Sequence, residues 1–493
     1  MAEHSAASLP STASAPAAHL EPDAIGVAQD TVIGMANAAP TVSIGLTLAV
    51  LASAAAYGGG VVILVTAIPM IIIANSYRRL NLWNANCGAS FEWVGRAINP
   101  YLGFMTGWLM VSGSIMGTLS ASLVLGPDTL AVFGKDTTSS PWPDILIGTA
   151  VIVVMLVIAI VGIKITARTQ VSIAVIEYVI LIGFAIAGLV FVLGHHHGSF
   201  PITKDWFSLT GIGGHGSIAL GILAAVFMFT GWEGTVYVNE EVKHRRVNPG
   251  RAAILAVAVI AILLAVAQVG LQGAVSPANL QKNSSAGLVY VADAIGGTGW
   301  GKVMALALAL SVIACTGTGI VIEARMIYGM ASHRVLPTFL ANVSPRFRTP
   351  VWASLVVGFL LTAILWAYLL ASGSLLSVFE DVIAIVSLLY IAFYILTAFA
   401  AIAYYRRRVF SNAWDFIIVA LLPLGACALL AWVMYRVLQT APAGQIWSIV
   451  GIIGVGLLLM LSARFIQRSA FFQIPRESDN QVPEPKHASA GSR

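Results

Sequence analysis

Charged residues are scarce in this sequence. Asp, Glu, Lys and Arg make up 10% of its 493 residues, whereas an average soluble domain carries about 25%. Because a surface that faces water needs charge, this scarcity argues against a soluble globular protein. Cysteine is scarce as well, and Cys87, Cys315 and Cys427 are too scattered to indicate a disulfide framework or a metal site.

Apolar residues are abundant, at 58% of the chain. One membrane-spanning helix takes about 20 of them, so the chain has enough for about a dozen. The two-residue alternation of membrane β-barrels is missing. We therefore predict an all-α integral membrane protein with twelve spans. These spans are residues 25–56, 61–79, 98–125, 143–163, 169–193, 217–240, 250–273, 301–326, 350–370, 376–404, 415–437 and 446–466.

The two ends of the chain have a different composition. We predict a disordered N-terminal tail over 1–24, a membrane domain over 25–466 and a C-terminal tail over 467–493, with disorder from Ile474 onwards. The N-terminal tail lacks the features of a cleavable signal. With both tails in the cytoplasm, most Lys and Arg fall on the inner side, as the positive-inside rule requires. This topology accounts for the net charge of +5, so we expect no nucleic-acid partner. We expect the protein to lie in the lipid bilayer of the cell membrane. The basic residues left outside are Lys135, Lys204, Lys282, Lys302 and Arg436.

Two of the predicted spans contain helix-breaking residues. The first contains Asn37-Ala38-Ala39-Pro40-Thr41, and the sixth contains Phe229-Thr230-Gly231-Trp232-Glu233-Gly234. Pro40 cannot donate a backbone hydrogen bond, and non-helical backbone at membrane depth survives only in a cavity or inside protein. Two breaks five spans apart predict a five-plus-five inverted repeat (25–193 and 217–404, followed by 415–466) with a binding site at the breaks. The alternative is a proline kink and ordinary glycine packing.

Three cytoplasmic stretches carry a family resemblance. They are Cys87-Gly88-Ala89-Ser90-Phe91-Glu92-Trp93, then Asn239-Glu240-Glu241 with Asn248-Pro249 and Arg251, then Arg325, Tyr328, Met330-Ala331, Leu336-Pro337 and Thr349-Pro350. Together they resemble motifs of the amino acid–polyamine–organocation permease superfamily. The resemblance implies the leucine-transporter fold. It also implies alternating-access transport of amino acids, amines or organic cations, by proton symport, sodium symport or exchange.

The breaks supply the expected substrate site. Exposed N–H groups at a half-helix N-terminus can bind a substrate carboxylate, and freed carbonyl groups can bind its ammonium. The aromatic Trp232, or Phe229, could cover the ligand as a gate, although ordinary packing or lipid contact would also explain them. The family's usual Gly-x-Gly pattern is replaced by Ala38-Ala39-Pro40 in the first span. The candidate substrate-binding residues are Asn37, Ala38, Ala39, Pro40, Thr41, Phe229, Thr230 and Gly231.

Two acids inside the predicted membrane domain are candidates for proton coupling. A carboxylate at this depth is costly and indicates function by default. Glu233 follows the break of the sixth span, and Glu177 lies in the fifth, where some proton-coupled relatives have a lysine. A structural hydrogen-bonding role remains the alternative for each. Sodium binding would instead use hydroxyls of the eighth span, such as Thr316 and Thr318, although such hydroxyls also serve helix packing.

These residues predict a proton-coupled amino acid permease that needs no cofactor. An exchanger or a polyamine permease is the alternative within the class. A channel or a membrane-embedded enzyme is the alternative outside it. The sequence contains no Walker, zinc-binding or catalytic motif, so we expect no enzymatic activity.

Overall fold

The computed structural model describes residues 19–135, 141–196, 198–208, 214–371 and 375–478. Within these ranges the chain is helical, with a single isolated β-bridge between Ile25 and Val242 and no strand. Twelve helices are long and apolar enough to cross a membrane, which confirms the predicted all-α fold with twelve spans. They are Val27–Ala55, Gly59–Trp83, Pro100–Val132, Trp142–Val161, Ile163–Leu193, Ile218–Tyr237, Asn248–Leu271, Thr298–Ser332, Val351–Leu370, Asp381–Tyr404, Ala413–Leu438 and Ala443–Ile466.

Short helices connect the spans. Three of them are α-helical: Ser90–Ala97, Pro277–Lys282 and Gly287–Gly296. The remainder are single 3₁₀ turns, at Lys204–Phe207, Asn239–Glu241, Ser284–Ala286, Thr338–Ala341, Arg408–Phe410 and Ala470–Gln473. Ser90–Ala97 lies between the second and third spans and is almost completely buried.

Burial separates central spans from peripheral ones. In the most apolar stretch of the third span 89% of the residues are buried, against 11% in the twelfth. The first, sixth, eighth and tenth spans are similarly enclosed, whereas the fourth and fifth expose most of their surface. Lipid-facing residues stay apolar, so the exposed spans can still be strongly hydrophobic. The two interrupted spans therefore lie in the centre of the bundle.

The first span is two helices joined at one residue. The first helix ends at Ala38, and Ala39 adopts a left-handed conformation with φ of 45°. The second helix begins at Pro40, whose missing N–H costs nothing at a first helical position. The proline thus starts a new helix here instead of kinking a continuous one.

The sixth span is interrupted in the same way. Its first helix ends at Phe229, and a short helix resumes at Gly234. Between them Gly231 has a φ of +110°, a region that residues with a Cβ rarely adopt. The two breaks touch, because the Asn37 side-chain amide donates to the Gly231 carbonyl at 3.2 Å.

The two ends of the bundle differ in charge. We call the end that contains Arg78, Lys164, Arg245 and Arg348 the basic end, and the other the opposite end. At the basic end Lys243 N–H donates to the Ile25 carbonyl at 2.9 Å, which ties the start of the first span to the exit of the sixth. Of the predicted tails, 1–18 and 479–493 fall outside the described residues. Residues 19–24, predicted as part of a disordered tail, make contacts at the basic end: Leu20 is buried, and the Ala24 N–H donates to the Glu241 carbonyl at 2.8 Å.

Candidate functional site

A small cavity of about 30 Å³ lies where the two breaks face each other. The first, third, sixth, eighth and tenth spans all contribute to its wall. Its lining residues are Asn37, Ala38, Ala39, Val42, Ser43, Leu46, Ser114, Gly117, Thr118, Ser120, Ala121, Phe227, Thr230, Gly231, Cys315 and Tyr390. The cavity is therefore polar on several sides and sits in the middle of the buried spans.

The structure brings most of the predicted break residues to this cavity. Five of them line it: Asn37, Ala38, Ala39, Thr230 and Gly231. Three others, Pro40, Thr41 and Phe229, are buried but are not among its lining residues. Thr41 lies within the first turn after the break, where its N–H faces the fifth span. A linear stretch of sequence cannot indicate this rotation of the second half-helix.

Glu177 and Glu233 each accept a hydrogen bond from a break. The Thr41 N–H donates to Glu177 Oε1 at 3.4 Å, and the Gly231 N–H donates to Glu233 Oε2 at 3.1 Å. The Tyr394 hydroxyl also donates to Glu233, at 2.8 Å. Both carboxyl groups are at most 1% exposed. Free N–H groups at a helix start attract acids, so each break carries an acid of the protein itself.

A third buried acid, Glu323, was missed by the sequence analysis. It lies in the eighth span and is completely buried. The hydroxyls of Ser114 and Thr118 donate to its Oε1 at 2.9 and 3.1 Å. Its Oε2 has no hydrogen-bond partner. The signal was available, because Glu323 follows Ile320-Val321-Ile322 in an apolar run, and an acid inside a span indicates function.

The hydroxyls considered for sodium bind the backbone of their own helix. Thr316 donates to the Val312 carbonyl and Thr318 to the Ala314 carbonyl, both at 2.8 Å. Ser311 instead accepts from the Val42 N–H at 3.3 Å. The eighth span therefore contacts the first break through Ser311 and through Cys315, whose thiol donates to the Asn37 carbonyl at 3.5 Å.

A wider cavity of about 520 Å³ leads from the breaks to the opposite end. It shares Val42 and Leu46 with the small cavity, and its wall reaches the exposed residues Ser53 and Gln281. Asp128 is the charged residue of its lining. A ligand from the opposite end would thus pass an acid and a mainly apolar wall before it met the breaks.

The basic end is closed below the small cavity by a buried ion pair. Arg325 Nε lies 2.7 Å from Glu241 Oε2, and Arg325 Nη2 lies 3.0 Å from Glu241 Oε1. Both side chains are 0% exposed. A two-pronged contact of this kind fits guanidinium geometry and fixes the orientation of both groups. The pair links the exit of the sixth span to the eighth.

Aromatic rings form a second closed layer. Trp232, the predicted gate, is stacked on Tyr394 with ring centres 5.7 Å apart and meets the edge of Tyr77 at 5.0 Å. Tyr77 in turn packs against Trp93 of the short helix Ser90–Ala97. Trp232 is completely buried and is not among the residues that line the small cavity.

Residues 467–478 pack against the basic end. Phe471 stacks on Phe91 of the short helix with ring centres 4.2 Å apart. Arg96 Nη1 contacts Glu477 Oε1 at 2.7 Å, and the Glu477 N–H donates to the Arg96 carbonyl at 2.8 Å. The sequence analysis expected disorder from Ile474 onwards, but Ile474 packs against the core. The apolar pair Phe471-Phe472 in an otherwise polar tail was the available signal.

Glu92 connects this segment to the loop after the eighth span. Its carboxylate lies 2.8 Å from His333 Nε2 and 3.1 Å from Arg96 Nε. Burial alone would raise the pKa of Glu92, but the hydrogen bond and charge of His333, with Arg96 and Asn84, hold that pKa below its ordinary value. The ionised carboxylate is therefore the form that the folded basic end stabilises.

A solved structure has the same architecture. The crystal structure of MhsT in complex with L-phenylalanine aligns with a TM-score of 0.61, covering 84% of this chain and 99% of that chain at 14% identity. The two proteins therefore share a fold, and the predicted leucine-transporter-type fold is confirmed. A family model described as amino acid permease matches residues 30–458. The chain belongs to this amino acid permease family, as its motifs predicted.

Curated relatives agree with this family. The γ-aminobutyric acid permease of Bacillus subtilis is 24% identical over 56% of this chain and 58% of its own length. The Asc-type amino acid transporter 1 of Mus musculus is 29% identical over 33% of this chain and 30% of its own length. The arginine/ornithine antiporter ArcD2 of Lactococcus lactis is 19% identical over 58% of this chain and 61% of its own length. The chain thus aligns with under two thirds of each relative. All are transporters and not enzymes, as expected.

Proposed function

We propose that this protein is a secondary active transporter that carries an amino acid across the cell membrane by alternating access. The observation that carries the proposal is the pair of touching breaks around one small polar cavity. A single central site between two half-helices can be exposed to either side of the membrane by rocking of the surrounding helices. The family of the chain and the named substrates of its relatives support the same class of cargo.

The breaks are accessible from the opposite end and closed off from the basic end. The wide cavity exposes the breaks to the opposite end, and the Arg325–Glu241 pair closes the basic end. Because basic loops stay on the inner side of membranes, the basic end and both termini are cytoplasmic. The structure would then be the outward-facing form of the transport cycle. The predicted gate Trp232 belongs to the layer that must part on inward opening.

Proton symport is the coupling that we propose. Glu177 and Glu233 each hold the N–H of one break, so a change in their protonation alters the contacts that fix both half-helices. For sodium coupling, the described residues show no hydrogen bond from Thr316 or Thr318 to either break, since both hydroxyls donate to carbonyl groups of their own helix. Among the predicted substrate residues, Asn37, Ala38, Ala39, Thr230 and Gly231 are those we propose to touch the amino acid.

Uptake into proteoliposomes tests the proposal. We expect labelled alanine, arginine, ornithine or 4-aminobutyrate to accumulate when the outside is made more acidic, and to accumulate less when an ionophore removes the pH gradient. Glu177→Gln and Glu233→Gln should each weaken the response to the gradient. Uptake that ignores the gradient in the parent protein would refute proton coupling. Uptake of none of the amino acids tested would contradict the proposed class of cargo.

Exchange is the second candidate, and one relative, named as an arginine/ornithine antiporter, favours it. An exchanger moves its external substrate only when a second substrate waits inside. Vesicles preloaded with unlabelled ornithine or arginine should then take up label much faster than empty vesicles. Equal rates in preloaded and empty vesicles would favour symport.

A further inference from the structure

The small cavity offers a ligand more hydrogen-bond acceptors than donors. Five serine and threonine hydroxyls line it, and each one donates to an acceptor of the protein. The donors and acceptors are Ser43 to the Ala38 carbonyl, Ser114 and Thr118 to Glu323, Ser120 to the Gly117 carbonyl and Thr230 to the Phe227 carbonyl. A hydroxyl has one proton but two lone pairs. All five therefore offer only acceptor capacity to a ligand.

Three peptide N–H groups at the breaks are engaged as well. Those of Thr41 and Gly231 donate to Glu177 and Glu233, and that of Val42 donates to Ser311. Pro40 has none. The usual place for a ligand carboxylate, the N-terminus of a half-helix, already holds an acid of the protein at both breaks. Among the lining side chains, the second N–H of the Asn37 amide is a donor that a ligand carboxylate can still use, whereas the Tyr390 hydroxyl is hydrogen-bonded to Glu233 and Ser114.

The charged residues in and behind the walls of the two cavities are acidic. None of the lining residues that the structure describes is Lys, Arg or His, and the wide cavity carries Asp128. Directly behind the Ser114–Thr118 wall lies Glu323, completely buried and with one oxygen unpartnered. Buried polar atoms without a partner are rare and need an explanation. A positively charged group held in the cavity against this wall would balance the charge of Glu323, while its N–H groups would donate to the hydroxyl oxygens of Ser114 and Thr118.

We propose that this cavity selects an amino acid with a second amine, which binds the Ser114–Thr118 wall, and that Glu323 is the positioning residue that makes this wall a cation site. This inference rests on the proposed function and names its substrate class. Glu323 accepts a hydrogen bond from each hydroxyl, which leaves the lone pairs of both oxygens directed towards the ligand. Its carboxylate adds the negative charge. Because the Ser114–Thr118 wall and the breaks line the same cavity, the two amines of the ligand are separated by a short chain. Acidic amino acids are excluded, since their second carboxylate would face acceptors.

The test measures binding directly, by thermal stabilisation of the purified full chain in detergent with increasing ligand. The probes are 2,4-diaminobutyrate, norvaline (which replaces its distal amine by a methyl group) and aspartate. We expect 2,4-diaminobutyrate to bind about tenfold more tightly than norvaline, the size of a hydrogen bond to a charged group, and aspartate not to bind. Tighter binding of norvaline or aspartate, or binding of none of the three, would overturn the inference.

Three variants separate positioning from mere folding. Glu323→Gln keeps an oxygen that can accept from both hydroxyls but removes the charge, and Thr118→Val removes one acceptor at nearly constant volume. Both should bring the preference for 2,4-diaminobutyrate over norvaline close to one while norvaline binding stays constant. Ser112→Ala removes a hydroxyl of the same span that is not among the lining residues and donates to the Trp108 carbonyl, so it should keep the preference. If Glu323→Gln fails to fold, Thr118→Val decides. An unchanged preference in the folded variants would overturn the role of Glu323.

Transport and selectivity can fail independently in these experiments. Binding of 2,4-diaminobutyrate without any uptake into proteoliposomes would support the amine site and contradict the proposed transport. Uptake of neutral or acidic amino acids in preference to 2,4-diaminobutyrate would leave the transport proposal intact and overturn the amine site.

Discussion

The buried pair between Arg325 and Glu241 should control access from the basic end. Replacing Arg325 by methionine removes contacts of 2.7 and 3.0 Å and leaves Glu241 unpaired in a place where both side chains are 0% exposed. Removing one partner of a buried pair costs about 3–5 kcal/mol. Opening of the basic end rehydrates Glu241 and relieves this cost, so the open population should rise between about a hundredfold and a few thousandfold.

Cys87 is a native reporter of this opening. It is completely buried at the basic end, and its N–H donates to Glu240 Oε1 at 3.0 Å. Burial, together with the charges of Glu240 and Glu241, raises the pKa of the Cys87 thiol well above its ordinary value. Reaction with a maleimide should therefore wait for opening. The assay follows the labelling rate in a background in which Cys315 and Cys427 are alanine.

The expected result is labelling of Cys87 at least about a hundredfold faster in Arg325→Met than in the parent, with an unchanged elution profile on size exclusion. The double variant Glu241→Met/Arg325→Met should label at nearly the parental rate, because a packed apolar pair can replace a buried ion pair at little cost. Equal labelling rates in the folded single variant and the parent would refute the idea that the pair holds this end closed.

Three further results are expected. Gly231→Ala should abolish uptake and lower the melting temperature, because the new Cβ would lie 2.7 Å from the Asn37 carbonyl carbon. The control Gly425→Ala, whose Cβ would have nothing within 4 Å, should change neither. Equal effects of the two variants would contradict the close contact between the two breaks. Glu177→Gln keeps an acceptor for the first break but cannot ionise, so its uptake should lose pH dependence while its melting temperature stays close to that of the parent; a normal pH profile would demote Glu177 to structure. The lowered pKa of Glu92 means that its ionised form stabilises the fold at neutral pH and that this contribution is lost as the pH falls through that pKa. Melting temperatures of the parent and Glu92→Gln should therefore differ at pH 7 and converge on acidification, and a constant difference would refute this linkage.

Patterns along the sequence predicted most of the fold. Spans follow from the length of apolar runs, and the breaks follow from Pro40 and from the glycines beside Glu233, because those residues act on the backbone locally. The family motifs at the basic end could also be identified from the sequence. None of these signals depends on knowing which side of a helix faces a neighbour.

The details of the site do depend on that knowledge. Thr41 and Glu177 are 136 residues apart, and Ser114 and Glu323 are 209 apart, so only the packed bundle shows that they meet. The sequence analysis expected the N–H groups of the first break to be free for a ligand. In the structure Glu177 takes one of them, which shifts the search for a selective contact to the wall formed by the third and eighth spans.

The central claim is that the cavity between the breaks is the site of a carrier, and counterflow tests it most directly. Proteoliposomes are preloaded with unlabelled alanine, arginine, 4-aminobutyrate and 2,4-diaminobutyrate, then diluted into a trace of each labelled compound in turn, without an ion gradient. Alternating access predicts that at least one label rises transiently above its equilibrium level and that Gly231→Ala abolishes this overshoot. Label that only equilibrates, without an overshoot and equally in the variant, would contradict the account.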